Sequence, residues 1–326
     1  MTLLSLLARR LAIGLLTIWG VLTIMFGLLF GTGNWAWGRT EGPMRFAGAS
    51  AAEIEEARET FYAERGIDAS LSELYLEWIV NMFTFQWGTS WVSGEAVLPL
   101  IASATVRSAV YVVPAIGIAV LGGILLGTYS AMRKGGKTEG ASRALIYFGF
   151  GLPNFWIGAM IVMGMLGAGS IAFERHQAVV PQVTFPFFYE YVLPVLLVAS
   201  TLFAGLATAA RAQSLEYIGT DVMKLVRAKG AGAVTVSRHV LRNSAIPLVS
   251  LIFTETLALL VLSVFVIEAL FGIEGLGLVF YNAVWEQDIP VLLGGTMVIV
   301  AIGVLGNIVQ DLSYRSLDPR IETTSH

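Results

Sequence analysis

Cysteine is absent from all 326 residues, and histidine occurs three times. The first absence excludes a disulfide framework, a thiol nucleophile and thiolate metal ligation; the second leaves too few imidazoles for a zinc or haem centre. Charge is scarce too: Asp, Glu, Lys and Arg make up 13% of the chain, about half the share of a soluble domain. Lysine is missing altogether before residue 134. What takes the place of charge is 56% hydrophobic residues and a mean hydropathy of +0.74. A chain of this kind is an all-α integral membrane protein.

Leu11 to Phe30 is an uncharged run of 20 residues, enough at about 1.5 Å per residue to cross a hydrocarbon core of about 30 Å. It exceeds the roughly 7 to 15 apolar residues of a signal peptide, so residues 1–30 are expected to be a retained first helix. Five further spans follow: Ser108 to Met132, Ala144 to about Ile171, Tyr191 to Ala210, Pro247 to Leu270 and Ile289 to Gln310. Six spans put both termini on one side. Fourteen of the twenty lysine and arginine residues, every lysine among them, then fall on the side of the N-terminus. This bias places both termini in the cytoplasm of a multi-pass cell-membrane protein. Residues 31–103 carry ten acidic residues against four arginines and read as an extracytoplasmic insertion. Within it Ala51 to Glu64 is a helix candidate, with Ser50 and Glu53 at the spacing of a capping box. Leu71 to Phe85, with Tyr75 and Trp78, has the aromatic character of an interfacial helix. The core, 104–314, encloses a cationic loop at 211–246, and a short tail, 315–326, ends the chain.

Several motifs reduce to membrane-protein structure. Ala131 to Thr138, AMRKGGKT, differs from a phosphate-binding GxxxxGK[ST] loop by its first glycine, but it sits between spans and lacks the preceding strand such a loop needs. Gly27/Gly31 and Gly123/Gly127 match GxxxG spacing; with 35 glycines in the chain they carry little weight. Glu255 lies deep in the fifth span, where an ionisable group faces a bundle interior or an aqueous path. It is a substrate-path candidate, and in the alternative reading of an ion-coupled secondary carrier it would be the working carboxylate. Glu268, near the end of the same span, reads as interfacial.

The loop from Arg211 to Pro247 holds six cationic residues against Glu216 and Asp221. Leu215, Ile218, Val222 and Leu225 recur at helical spacing, so an amphipathic helix is expected, stopped by Gly230 and Gly232. Val236 to Leu241 forms a second short segment.

The wording of this loop is more specific than its charge. Asp221, Val226-Arg227-Ala228-Lys229-Gly230 and His239-Val240-Leu241-Arg242-Asn243 through Pro247 resemble the cytoplasmic signature loop of permease subunits in the dipeptide, oligopeptide and nickel branch of ATP-binding-cassette importers. Glu268 to Gly277 (EALFGIEGLG), Gln287 to Pro290 (QDIP), Leu317 to Arg320 (LDPR) and Phe85 to Ile101 (FQWGTSWVSGEAVLPLI) are similar to the same family. Glu274 stands where that branch has proline, which puts the geometry of its turn in question, and the region of Ser108 lacks the proline that introduces the second span. The resemblance implies a type I importer transmembrane domain of six helices, forming half of a path for peptides or, among related permeases, oligosaccharides or nickel chelates. It implies a second, homologous permease, two cytoplasmic ATP-binding subunits that use ATP-Mg, and an extracytoplasmic solute-binding protein, with the lipid bilayer around them and no nucleic acid. Asp221, Leu225, Arg227, Ala228, Lys229, Gly230, His239, Arg242 and Asn243 are the ATPase-docking residues it implies.

Overall fold

The computed structural model describes residues 3–31, 35–136, 140–141, 144, 153–167 and 188–317, and all its regular elements there are helices. Four of these helices are long and apolar enough to cross a membrane: Leu4–Gly31, Val97–Met132, Leu193–Ile218 and Ile289–Ser316. The third expected span is described only as Asn154–Gly167, the rest lying outside the described residues. The fifth lies within one continuous helix, Ala233–Phe271; the side chains at 243–247, 249–252 and 254–263 are outside the description.

The chain divides into two compact units. The first comprises Met1–Thr105 and Val279–Leu305. Its long helix α1 (Leu3–Gly31) is joined by α2 (Gly38–Phe46), α3 (Ala51–Arg65) and α4 (Leu71–Phe83). The expected capping box at Ser50 and Glu53 is formed, and Ser70 and Glu73 make a second one at the start of α4. Each satisfies backbone donors that a helix start leaves orphaned. Helix α4 packs on α1 through Phe26, whose ring stacks on Trp78 at 5.0 Å and meets Tyr75 edge-on at 5.3 Å. Thr23 and Tyr75 share a hydrogen bond of 2.8 Å. Leu76 and Val80, on a different face of α4, stay exposed.

Helix α5 (Val97–Met132) starts eleven residues before the expected Ser108. Pro99 sits in its first turn, where a missing N–H costs nothing. Its segment from Val106 onward belongs to the second unit, with α6 (Asn154–Gly167), a π-turn at Phe188–Val192, α7 (Leu193–Ile218), α8 (Asp221–Ala228) and α9 (Ala233–Phe271). Leu276–Glu286 (α10) and Ile289–Leu317 (α11) complete the chain, each shared between the units, at Leu278/Val279 and Leu305/Gly306.

The core of the second unit gathers Tyr111, Ala115 and Ala119 of α5, Val162 of α6, Leu197, Val198, Leu202 and Leu206 of α7, and Val264, Ile267 and Phe271 of α9. One GxxxG pair earns its place in that packing. A Cβ on Gly123 would come within 3.0 Å of the Phe203 carbonyl oxygen, and one on Gly127 would overlap the Ala207 carbonyl and lie 2.8 Å from the Ala210 Cβ. The backbones of α5 and α7 touch there, as small residues permit in a bilayer. Gly27 and Gly31 have nothing within 4 Å of such a Cβ, so equal spacing has no equal consequence.

Candidate functional site

The cationic loop is shorter than its sequence suggests. Leu215 and Ile218 are the end of α7, and the chain breaks at Gly219 before α8 begins at Asp221. The apolar spacing from Leu215 to Leu225 therefore runs across two helices, and the expected single amphipathic helix is corrected to one of eight residues. Val236 to Leu241 is not a separate segment either; it opens α9. The pattern misled because α7 continues past its apolar stretch into the polar sequence with no helix breaker before Gly219.

Helix α8 has Asp221 in its first turn and Arg227 in its last, each at the end where the helix dipole favours its charge. Lys224 Nζ lies 2.8 Å from Asp221 Oδ1, an exposed pair that contributes little. After Ala228 the Gly230 N–H reaches the Arg227 carbonyl at 2.9 Å, with Gly230 at φ +80°. The residue that ties α8 to its own chain is Met223. It is completely buried with Val236 and Val240 of α9, and Met132, Tyr217 and Val226 pack against that cluster. Val222 and Leu225, by contrast, are 60% and 57% exposed. Arg227, Ala228, Lys229, His239 and Arg242 are exposed as well; Asn243 and Glu255 belong to α9, and their side chains lie outside the description. Met223 was missed because it falls outside the spacing of Leu215, Ile218, Val222 and Leu225 that marks the apolar face in the sequence.

The far end of α9 carries a carboxyl group met by four donors. Glu268 is completely buried within the protein. The Ser108 and Tyr111 hydroxyls of α5 donate to its Oε1, the second at 2.9 Å, and the Leu278 N–H donates to its Oε2 at 2.9 Å, joined by the Gly277 N–H. Ser108 Oγ in turn accepts the Leu276 N–H at 2.8 Å. The first three N–H groups of α10 thus all find acceptors inside the protein, as a buried helix start requires. A Cβ on Gly275 would overlap the Glu268 carboxyl, so the GLG of EALFGIEGLG leaves room for it. The turn questioned for want of a proline is closed by other means. Gly272 at φ +66° caps α9, and Arg107 Nη1 reaches the Glu274 carbonyl at 3.2 Å and its carboxylate at 3.8 Å.

A second carboxylate does similar work in the first unit. Asp288, 2% exposed, precedes α11 and accepts from the Val291 N–H at 3.4 Å, the Trp91 N–H at 3.2 Å and the Ser90 hydroxyl. Ser90 Oγ also accepts the Val92 and Ser93 N–H groups, at 3.2 and 2.9 Å. The GTSWVSG and QDIP stretches, far apart in sequence, are two halves of one hydrogen-bonded joint. Among the described residues no group of three His, Asp or Glu side chains could hold a metal ion.

Residues 123–323 match the family described as binding-protein-dependent transport system inner membrane component. The chain is 28% identical over 273 residues to an oligopeptide transport system permease protein of Bacillus subtilis, covering 81% of this chain and 85% of that protein. It is 30% identical over 258 residues to a dipeptide transport system permease protein of Lactococcus lactis, covering 78% and 82%. A metal-staphylopine import system permease protein of Staphylococcus aureus is 26% identical over 257 residues, covering 78% and 79%. With the family match running from the middle of α5 through the Met223 and Glu268 clusters to the end of α11, this multi-pass helical membrane protein belongs to the inner-membrane permease components of binding-protein-dependent transport systems.

Proposed function

We propose that this permease subunit forms half of the translocation path of an ATP-driven importer of peptides, and that α8 is where it receives the energy of ATP hydrolysis. Family membership and relatives named as oligopeptide and dipeptide permeases support the first statement. The observation that carries the second is the split of α8's apolar residues. Met223 is buried against α9, while Val222 and Leu225 are exposed, as are Arg227 and Lys229 at the end of the same helix and His239 and Arg242 on α9. Apolar residues held out on a short, anchored helix with a cationic rim suit insertion into a groove of a protein partner. Asp221, Leu225, Arg227, Ala228, Lys229, Gly230, His239, Arg242 and Asn243 are the contact set.

In this reading a second permease completes the path, and two cytoplasmic subunits bind ATP-Mg and hydrolyse it. A solute-binding protein delivers the peptide from outside. This chain binds no cofactor and is no enzyme. The expected arrangement is six spans with both termini in the cytoplasm and 31–103 outside. The fifth span then belongs to α9, and Glu255 within it is the candidate for the peptide path.

The test is uptake of a labelled peptide into vesicles that contain the assembled complex and ATP but no ion gradient. Arg227→Glu and Leu225→Ser should abolish both uptake and the stimulation of ATP hydrolysis by the binding protein, with membrane insertion intact. Uptake that needs an ion gradient and no ATPase would sink the reading, and unchanged stimulation in both variants would remove α8 from the docking surface.

A further inference from the structure

Helix α9 joins the two sites described above. Its 39 residues, at about 1.5 Å each, span about 58 Å. Val236 and Val240 near its start hold Met223 of α8, and Glu268 in its last turn holds α5 and the start of α10. The Glu268 joint involves three separate stretches of chain and leaves no slack. Ser108 Oγ is used twice, as a donor to Glu268 and as an acceptor for Leu276. Buried donors that lose an acceptor have no water to turn to, so these stretches separate only if several hydrogen bonds are given up at once.

We propose that Glu268 is a positioning residue for transport, locking α5 and the Gly272–Leu278 turn to the end of α9. A displacement imposed on α9 at the α8 end then carries all three as one body. This rests on the reading of α8 as the ATPase-docking helix. Substrate contact is no part of the role: all four groups that meet the carboxyl are protein donors.

The chain has no cysteine, so a pair introduced at Val113 of α5 and Val266 of α9, both exposed, places two spin labels on it without background. The separation of the labels is measured in the assembled transporter, nucleotide-free and trapped with ATP and vanadate. In the parent and in Glu268→Gln the separation should stay the same in both states, because the glutamine carbonyl takes the backbone N–H groups and its amide donates to the two hydroxyls. In Glu268→Ala the distribution should widen on trapping, and the ATP hydrolysed per peptide imported should rise. Should Glu268→Ala fail to assemble, Ser108→Ala combined with Tyr111→Phe removes the same α5 contacts with the carboxyl retained. A separation that changes in the parent, or one that stays narrow in the unclamped variant, overturns the proposal. Unchanged ATPase stimulation in Arg227→Glu and Leu225→Ser instead overturns the docking reading, and the widening produced by Glu268→Ala still decides whether the clamp holds.

Discussion

Replacing Asp288 with alanine removes the acceptor for three donors at once: the Val291 N–H at the start of α11, the Trp91 N–H and the Ser90 hydroxyl. Each buried donor left without a partner costs about 1 to 3 kcal/mol. The Ser90 hydroxyl rotates to a new acceptor more easily than a fixed N–H does, so the sum is nearer two full penalties than three, or about 4 kcal/mol. At about 2 °C per kcal/mol for a chain of this size, the midpoint of thermal unfolding should fall by about 8 °C. Trp87 and Trp91 flank the joint, so tryptophan fluorescence of the detergent-solubilised protein follows it directly. Ser90→Ala orphans the Val92 and Ser93 N–H groups and should cost about 2 kcal/mol. In the double variant the hydrogen bond between the two side chains is already gone, so the single effects should overcount by about 1.5 kcal/mol or more, as for a bond to a charged group. Effects that add to within about 0.5 kcal/mol would refute the view that GTSWVSG and QDIP form one joint.

Two further outcomes follow from the packing and the caps. Gly127→Val should destabilise the chain by about 3 kcal/mol, because the added side chain meets the α7 backbone, whereas Gly27→Val, facing open space, should stay within about 0.5 kcal/mol; equal effects in thermal unfolding would dismiss the α5–α7 contact. The Ser50 and Ser70 hydroxyls, followed by the Ser50 and Ser70 backbone N–H groups, hold the carboxyls of Glu53 and Glu73 below their ordinary range. A carboxyl whose value is lowered by folding stabilises the fold above its unfolded value, about 4.3, and stops doing so as the pH drops through the lowered folded one. The stability gap between the parent and Ser50→Ala/Ser70→Ala should thus be widest at about pH 6 and narrow as the pH falls below about 4, down to the part that the serine hydroxyls contribute by accepting the Glu53 and Glu73 N–H groups; a gap that does not narrow in acid would refute it.

How much of this was written in the sequence depends on the range of the interaction. The α3 cap was legible because Ser50 and Glu53 are three residues apart and the capping box is local. The four long apolar helices were legible because composition alone sets them. Boundaries failed where a helix outran its apolar run: α5 starts at Val97 and α7 ends at Ile218, since in-register backbone hydrogen bonds continue until a residue such as Gly219 breaks them. The Gly123/Gly127 pair could not be told from Gly27/Gly31, because the difference lies in α7, some eighty residues further along. The burial of Glu268 was out of reach for the same reason: the donors that make it tolerable come from α5 and α10.

Glu268 and Asp288 share a logic that the family-like wording of their surroundings expresses without stating. Each is a carboxyl set against the start of a helix, α10 in one case and α11 in the other, and each takes N–H groups that burial would otherwise leave unpaired. Each also recruits a serine from a distant stretch, Ser108 or Ser90, whose hydroxyl donates to the carboxyl while accepting backbone N–H groups itself. A serine placed this way multiplies what one carboxyl can satisfy, so a single side chain closes a helix start and ties it to another helix or loop. Buried carboxylates in a transporter invite a reading as substrate or ion ligands. Here their valences are taken up by the protein, and an acidic residue still open to that reading is Glu255, on the same helix as Glu268 and thirteen residues before it. The two separate cleanly in an experiment that varies the peptide: a ligand at Glu255 should shift the concentration dependence of uptake when replaced by glutamine, and the positioning group at Glu268 should leave that dependence where it was.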